Sequence, residues 1–375
     1  MTTSARPILS DKRQWEDMDA LLTQCSRAEA SSELVVRSFR LKLRRIGDAL
    51  KEPSMPRLNQ EQIVFLLWIA LFATFAVALP GFLSYGNIIT LIRGVAVLGI
   101  LAVGMAIVVI GRGIDLSLIA TMAVSTAFAF TLMTAGYPIW VALLLGLIFA
   151  AVVGVIVGFL IAYVEIPALF ATLAMGAFVY GLGRYAVFGQ DLVNLPASAA
   201  SLQFLGEGRL LGVPLPILLF AAFALAVALF LLYSRLGQFV YATGDNPLSA
   251  RISGLPVRPL VVLQYVFSSL VGYAAGLIMA TGVTLMNTRI VNSTLLYDVI
   301  LVVVLGGISL SGGKGGVRNV IVGTLLIGTL LNGMTIMDIQ YTGQNVIKSV
   351  ILLIAIVVDS ILNPRDEQTA QQGDI

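Results

Sequence analysis

The sequence of 375 residues contains no histidine and only one cysteine, Cys25. The missing histidine removes both the commonest catalytic base and the commonest metal ligand. One cysteine also excludes a disulfide bond within the chain. These absences disfavour an enzyme above all other classes, and we predict no catalytic residues and no metal site.

Charged residues are scarce as well. They make up 11% of the chain and apolar residues 58%, whereas an ordinary soluble domain has about 25% and about 45–50%. A helix needs about 20 apolar residues to cross about 30 Å of hydrocarbon, so the composition predicts an all-α, polytopic membrane protein with about ten transmembrane helices. The predicted spans are 63–79, 89–110, 116–133, 139–164, 167–188, 215–233, 260–283, 294–311, 317–337 and 346–362.

The charges that exist are concentrated at the amino terminus, where the first 62 residues hold 11 of the 23 Lys and Arg residues. We predict three parts: an amino-terminal extension (1–62), a transmembrane domain (63–362) and a carboxyl-terminal tail (363–375). An even number of spans returns both termini to one side of the membrane. The excess of Lys and Arg in the connections on that side predicts that it is the cytoplasm.

The amino-terminal extension has a helical pattern of apolar residues, because Val35, Phe39, Leu43, Ile46 and Leu50 recur at three- to four-residue steps among basic residues. This pattern predicts a basic amphipathic helix. Such a helix just before a span can lie on anionic membrane lipid. A solvated helix with no partner is the alternative, and the sequence does not decide between them.

Glycines recur at four-residue spacing inside two predicted spans, at Gly154 and Gly158 and at Gly272 and Gly276. This spacing lets helix backbones approach closely in lipid, where van der Waals packing drives helix association. We therefore predict that these glycines lie at helix contacts.

One pentapeptide pattern occurs twice, 194 residues apart: GIDLS at 113–117 and GISLS at 307–311. Broken helices at matching places in two halves of a chain are typical of transporters. Asp115 is predicted to cap a helix that begins at Leu116, and Ser309 is equally a capping residue. A buried position of Asp115 in a translocation pathway stays open, because carboxylates inside membranes are costly and usually functional. The predicted hinge residues are Gly113, Asp115, Ser117, Gly307, Ser309 and Ser311.

A polar segment, residues 235–258, interrupts the apolar runs on the predicted cytoplasmic side. Asn246 before Pro247 is a typical helix start, residues 248–253 can form about two turns, and Gly254 suits a left-handed cap. A short capped helix between two spans suits docking into a groove on another protein.

Three motifs carry a family resemblance. GDNPLSARISGLPV (244–257) resembles the cytoplasmic coupling segment of permease subunits of bacterial ABC importers for monosaccharides, of the ribose and xylose type in the branched-chain permease superfamily. GRGIDLS (111–117) and VVLGGISLSGGKGG (303–316) are similar to two glycine-rich motifs of that family and follow in the same order. Arg112 departs from the family pattern, which commonly has glycine at that position. Leu118 and Ile119 are further departures from the pattern.

The resemblance implies an inner-membrane permease that imports a monosaccharide or similar polyol and does no chemistry itself. ATP and Mg²⁺ would be bound by separate ATPase subunits, a periplasmic sugar-binding protein would deliver the cargo, and a second permease copy would complete a homodimer in membrane lipid; no nucleic-acid partner is implied. The residues expected to couple to the ATPase are Gly244, Asp245, Asn246, Pro247, Ala250, Arg251, Ser253 and Gly254.

A sugar pathway needs hydrogen-bonding side chains in a mostly apolar lining. The candidates are Phe170, Thr172, Tyr180, Gln264, Tyr265, Ser268, Asn287, Asn332 and Thr335. Each can instead serve packing or bond back to its own helix. Lys314 lies in a glycine-rich stretch, but the spacing of a phosphate-binding loop is missing.

Two other classes stay open from the sequence alone. An ion-coupled carrier acting without an ATPase is the first, although its expected deeply buried acids are scarce, since Glu165, Asp298, Asp338 and Asp359 all fall at predicted span ends. A membrane enzyme or a scaffold anchored by the basic extension is the second.

Overall fold

The structure is a computed structural model that describes residues 60–362. The amphipathic helix predicted from Val35 to Leu50 and the tail at 363–375 lie outside the described residues. Within residues 60–362 the chain forms these α-helices: α1 (Gln60–Ala78), α2 (Tyr85–Ile110), α3 (Leu118–Thr134), α4 (Ile139–Ala162), α5 (Ala168–Leu182), α6 (Gln203–Glu207), α7 (Leu215–Tyr233), α8 (Arg235–Asp245), α9 (Pro247–Ile252), α10 (Val257–Gly282), α11 (Leu295–Leu305), α12 (Val317–Ile336) and α13 (Tyr341–Leu362).

Ten of these helices coincide with the ten predicted spans. Eight of the ten are long and apolar enough to cross a membrane, when α5 is counted with the π-helical turn Gly183–Phe188 that continues it. The other two, α3 and α11, are apolar but have only 17 and 11 residues. The prediction of a polytopic helical membrane protein is confirmed, with two of its helices shorter than a full crossing.

The eighth predicted span, 294–311, was too long at its carboxyl end, because α11 stops at Leu305. Gly307 takes the left-handed conformation with φ 95°, and its N–H donates to the carbonyl oxygen of Val304 at 3.0 Å. The N–H of Ile308 donates to Val303 at 3.1 Å. This bond pair closes a helix, and glycine adopts the required φ at little cost.

Two connections at one end of the bundle contain short strands, which the sequence did not predict. β1 (Leu192–Asn194) pairs antiparallel with β4 (Leu285–Asn287), so the α5–α7 and α10–α11 connections are joined. β2 (Arg209–Leu210) pairs with β3 (Val213–Pro214) in a tight hairpin. Two 3₁₀ turns, Ala197–Leu202 and Thr288–Asn292, complete this end of the described chain.

Helices α2 and α10 form the centre of the described bundle, whereas α1 and α13 expose most of their surface. α10 packs closely on α4. A Cβ added to Gly154 would lie 2.6 Å from the Cα of Val266, and one added to Gly158 would lie 2.5 Å from the Cα of Val262. No side chain fits in these gaps, which confirms that the first glycine pair lies at a helix contact.

The second glycine pair places α10 against α3. A Cβ at Gly272 would lie 2.8 Å from Cδ1 of Leu118, and one at Gly276 would lie 2.8 Å from the carbonyl oxygen of Met122. The predicted packing role of this pair is therefore confirmed as well. Through the two pairs, α10 is held between α3 and α4.

A buried ion pair joins α11 to α13. The Lys348 Nζ atom lies 2.8 Å from Oδ1 of Asp298 and donates to Thr294 Oγ1 at 3.1 Å. Lys348 is 6% exposed and Asp298 9%. From the sequence, both residues could be placed only near span ends. Their pairing depends on the packing of α11 against α13, which only the tertiary structure shows.

We expect Lys348→Met to lower the free energy of unfolding by about 3–5 kcal/mol, because it leaves the Asp298 carboxylate buried without a cation. The double variant Lys348→Met with Asp298→Leu removes both charges and should recover most of that loss. Denaturant unfolding of the purified protein in detergent micelles measures both. Equal losses in the single and double variants would contradict the role of charge pairing.

Candidate coupling site

The first copy of the repeated motif follows the end of α2 and is not helical. Arg112 adopts a left-handed conformation with φ 72°. Its N–H donates to the carbonyl of Val109 at 2.9 Å, and the N–H of Gly113 donates to that of Val108 at 2.8 Å. The same two bonds, to residues three and five positions earlier, end α11 at Gly307 and Ile308. The repeat in the sequence therefore has a counterpart in the backbone that is displaced by one residue, because Arg112 aligns with Gly306 whereas the left-handed residue of the second copy is Gly307.

The side chains of the two copies repeat the pattern. Asp115 Oδ1 accepts from the N–H of Ser117 at 3.0 Å and from its hydroxyl at 2.6 Å. In the second copy Ser309 Oγ accepts from the N–H of Ser311 at 3.3 Å and lies 2.8 Å from its hydroxyl. In each copy the side chain of the third residue of the pentapeptide forms hydrogen bonds with the fifth residue. These bonds stabilise the break in the helix.

The predicted capping roles need correction. The helix after Asp115 begins at Leu118 rather than Leu116, although Asp115 does accept an N–H two residues ahead, as a capping carboxylate does. Ser309 caps no helix, because α12 begins only at Val317.

Asp115 also reaches across the bundle to α10. Its Oδ2 accepts from the Ser268 hydroxyl at 2.7 Å, and the side chain is 1% exposed. The Tyr265 hydroxyl, one turn earlier on α10, donates to the carbonyl of Ile114 at 3.5 Å. The first break is thus fastened to the central helix by two side chains that the sequence had proposed for the cargo pathway.

The second break has an anchor that sequence reasoning missed. Asp359 on α13 accepts from the N–H of Leu310 at 3.1 Å and is 4% exposed. The one available signal was a single acidic residue inside an apolar run, a pattern that usually marks a functional or structural partner.

The short helix α9 forms as the sequence predicts. The Asn246 side chain accepts from the N–H of Ser249 at 2.9 Å, and Pro247 is the first helical residue. At the other end Gly254 has φ 80°, and its N–H donates to the carbonyl of Arg251 at 3.0 Å. Both predicted caps are confirmed, and the rigid geometry of α9 follows from them.

One face of α9 is free to contact a partner. Leu248 is 49% exposed and Ile252 is 79% exposed, and the Arg251 side chain beside them is exposed. Ala250 is buried on the opposite face. Two apolar residues four positions apart with an arginine between them are the anchors by which a short helix docks into a groove.

The segment leading into α9 touches both helix breaks through glycines. Gly313 N–H donates to the carbonyl of Ile110 at 2.8 Å. A Cβ on Gly244 would overlap that same carbonyl oxygen and would lie 2.7 Å from the nitrogen of Gly313. A Cβ on Gly312 would lie 2.6 Å from the carbonyl oxygen of Gly244. We call residues 110, 244, 312 and 313 the glycine junction, where three chain segments meet with no side chain between them.

Tyr241 fastens α8 to the second break. Its hydroxyl donates to the carbonyl of Gly315 at 2.8 Å. Burial raises the pKa of the Tyr241 phenol, so the group remains a neutral donor at physiological pH. Together with the glycine junction, this bond makes α8 and the second break one unit.

A cavity of about 820 Å³ lies between α9, the first break, the α4–α5 connection and the start of α10. We call it the α9 cavity. Arg258 forms an ion pair across its rim with Glu165, Nη2 to Oε1 at 2.7 Å. Two buried donors of lining residues have no hydrogen-bond partner, Nε2 of Gln264 and Nε of Arg258.

Four of the proposed pathway residues form hydrogen bonds with other groups of the protein. Thr172 donates to the carbonyl of Ala168 in its own helix at 2.8 Å, and Thr335 does the same to Leu331 at 2.8 Å. Asn332 and Asn87 exchange hydrogen bonds through their side chains at 2.9 and 3.0 Å. The fourth, Asn287, accepts from the N–H of Arg289 at 3.0 Å in the strand-bearing end of the bundle.

A fifth candidate, Ser268, donates to Asp115, and the other four lie on two parts of the bundle. Gln264 and Tyr265 line the α9 cavity. Phe170, 65% exposed, and Tyr180, partly exposed, lie on α5. The nine proposed residues are therefore not brought together around one channel within a single copy of the chain.

Metal binding was not expected from the sequence, and the described part of the chain contains no group of three His, Cys, Asp or Glu side chains placed to hold an ion. The contacts of this site are hydrogen bonds and close backbone packing.

Known proteins resemble this chain over most of its length. A model of the family described as the permease component of branched-chain amino acid transport systems matches residues 87–358. The ribose import permease protein of Escherichia coli (strain K12) is 30% identical over 299 residues, which cover 80% of this chain and 92% of that protein. No solved structure matches the chain.

Two further relatives extend the comparison. The ribose import permease protein of Bacillus subtilis (strain 168) is 34% identical over 280 residues, 75% of this chain and 86% of that protein. The L-arabinose ABC transporter permease protein of Azospirillum brasilense is 32% identical over 302 residues, 80% of this chain and 88% of that protein.

We expect Gly244→Ala to lower the free energy of unfolding by about 1–3 kcal/mol, because its methyl group would overlap the backbone at Ile110. Gly181→Ala is the matched control, since Gly181 lies in α5 with nothing within 4 Å of its Cβ position. The control should be neutral or stabilised by about 0.5–1 kcal/mol. Thermal unfolding in detergent compares the two, and equal stabilities would show that the glycine junction is not close-packed.

Proposed function

The chain belongs to the family of permease components of branched-chain amino acid transport systems, and from this membership we propose that it is the membrane subunit of an ATP-driven importer of a monosaccharide or similar polyol. The observation that carries the cargo class is the set of relatives named for ribose and L-arabinose, at 30–34% identity over at least three quarters of the chain. The subunit performs transport and leaves ATP hydrolysis, with its Mg²⁺, to another polypeptide.

The exposed face of α9 is the docking element for the ATPase. Leu248 and Ile252 would enter an apolar groove of that partner, and Arg251 would pair with an acidic residue at its rim. The caps at Asn246 and Gly254 support this assignment, because they hold the docking face rigid against a push.

The glycine junction then carries the push from α9 to the spans. Gly244, immediately before the first turn of α9, contacts the backbone at Ile110 and Gly313. Because no flexible side chain separates these segments, a displacement of α9 moves both helix breaks together. Gly113, Asp115, Ser117, Gly307, Ser309 and Ser311 serve in this proposal as the hinges on which α3 and α11 turn.

The cargo pathway lies between two copies of the chain, which form a homodimer. Support comes from polar side chains inside one copy, because Thr172, Ser268 and Asn332 are each bonded to a neighbouring protein group. Phe170 and Tyr180 on α5 remain available to face a second copy. An aromatic ring over a sugar face and weak hydrogen bonds suit a path that must release its cargo.

Both termini and α9 are assigned to the cytoplasm of a bacterial cell, and the strand-bearing end of the bundle to the side on which a periplasmic sugar-binding protein docks. The distribution of positive charge supports this orientation. Five basic residues lie at the α9 end, either between spans or in the first turn of a span: Arg235, Arg251, Arg258, Lys314 and Arg318.

Transport itself provides the decisive test of the function. The chain should be co-reconstituted into proteoliposomes with the ATPase and binding protein encoded beside it, and uptake of labelled ribose and arabinose measured. We expect uptake only with ATP and all three components. Gradient-driven uptake by the chain alone would instead identify an ion-coupled carrier.

We expect Arg251→Glu to reduce cargo-stimulated ATP hydrolysis about tenfold, equivalent to about 1.4 kcal/mol of coupling free energy, while membrane insertion stays normal. Arg235→Glu is the control, since Arg235 is also exposed at this end but lies at the start of α8. The ATPase assay of the reconstituted complex measures both. Unchanged stimulation in the Arg251 variant would refute the docking role of α9.

Orientation can be measured with single cysteines in a Cys25→Ser background. Ser249→Cys on the exposed face of α9 should react with a membrane-impermeant maleimide in inverted vesicles and not in intact spheroplasts. Leu211→Cys, at the opposite end and 98% exposed, should show the reverse. Labelling of Ser249→Cys from outside would overturn the orientation together with the ATPase assignment.

A further inference from the structure

Basic side chains outnumber carboxylates in the lining of the α9 cavity. Arg112, Arg251 and Arg258 line it together with a single carboxylate, Glu165, which is paired with Arg258. Gln264, 2% exposed, keeps a buried amide nitrogen without a partner. An unpartnered buried donor costs about 1–3 kcal/mol, so these groups are arranged for a ligand rich in acceptor oxygens.

The walls of the cavity are apolar. Ile161, Ile166, Leu169 and Val261 contribute aliphatic side chains from α4, α5, α10 and the α4–α5 connection. A small free anion would leave most of the 820 Å³ and these walls unfilled. The lining therefore suits a molecule that is both anionic and apolar.

The polar groups are arranged at two depths. Arg258 is the second residue of α10 and Gln264 lies six residues further along the same helix, about 9 Å deeper into the bundle. The arginine lies near the start of α10, whereas the amide lies nearly two turns further along the helix. Basic pockets between spans at this level bind anionic lipid headgroups.

Two residues that line the cavity adopt left-handed backbone conformations despite having side chains, Arg112 with φ 72° and Glu165 with φ 64°. Both conformations close a helix, α2 at Arg112 and α4 at Glu165, as a left-handed residue after a helix commonly does. They fix the points from which these two side chains reach the rim of the cavity.

From these observations we propose that the α9 cavity is a binding site for one anionic phospholipid. Its phosphate diester accepts from Arg258 at the rim, its ester carbonyls accept from the Gln264 amide, and its acyl chains lie along the aliphatic walls. Because Leu248 and Arg251 belong both to the cavity lining and to the exposed face of α9, a bound lipid lies directly beside the surface assigned to the ATPase. The site does not depend on the identity of the cargo.

The test uses the purified full chain in nanodiscs of phosphatidylcholine, with or without phosphatidylglycerol. We expect phosphatidylglycerol to raise the midpoint of thermal unfolding by about 3–6 °C, and native mass spectrometry to show one retained phosphatidylglycerol per chain. Absence of both effects in the unmodified protein would overturn the proposal.

Gln264→Leu separates ligand binding from structure. In phosphatidylcholine alone the variant should be at least as stable as the unmodified chain, because an unpartnered buried donor is removed. In phosphatidylglycerol it should lose most of the stabilisation and the retained lipid. Gln238→Leu, at an exposed position on α8 outside the cavity lining, should behave like the unmodified protein. Full phosphatidylglycerol stabilisation of Gln264→Leu would contradict the site.

A final arm distinguishes lipid from soluble phosphate. Inorganic phosphate and glycerol phosphate are added to the chain in a nonionic detergent free of lipid, and thermal unfolding is measured again. Neither should raise the midpoint in the millimolar range, since neither fills the aliphatic walls. Stabilisation by these anions, equal to that by phosphatidylglycerol and lost in Arg258→Gln, would replace the lipid with a soluble phosphate ester.

Discussion

The structure depends on one constraint, the need of every backbone polar group within a bilayer to find a partner inside the protein. A continuous helix meets it alone, but this chain breaks two helices, after Ile110 and after Leu305. At each break, backbone N–H groups at and after a left-handed residue donate to carbonyls of the preceding helix. The side chain of the third residue of the repeated motif forms hydrogen bonds with the fifth residue. The bond from Gly313 N–H to the carbonyl of Ile110 then makes each break a partner of the other.

That solution also explains where the glycines lie. Backbone-to-backbone contact requires positions without a Cβ, and Gly244, Gly312 and Gly313 occupy the place where the segment leading into α9 meets both breaks. A rigid contact of this kind passes on a displacement in full, because no side chain lies between the segments that could absorb it by changing rotamer. The same feature that satisfies the backbone in lipid therefore links the exposed helix α9 to both helix breaks in the interior.

Polar side chains in the described bundle divide into two groups by their partners. Asp115, Asp298, Lys348 and Asp359 are buried and each holds a neighbouring segment. The α9 cavity differs, because Gln264 and Arg258 keep donors that nothing in the described chain accepts. The satisfied groups fasten helices, whereas the two donors of the cavity are those that the proposed lipid would occupy.

The amino-acid sequence by itself determined the elements whose physics is local. Ten helices at the predicted spans follow from runs of apolar residues, and α9 with its caps at Asn246 and Gly254 follows from turn chemistry. Only the tertiary structure decided which distant groups meet: Lys348 with Asp298, Asp115 with Ser268, Gly244 with Ile110. Hydropathy and capping depend on neighbours within a few positions, whereas these contacts join residues 50 to more than 150 positions apart. Such pairings depend on how whole helices pack, and no local pattern records that.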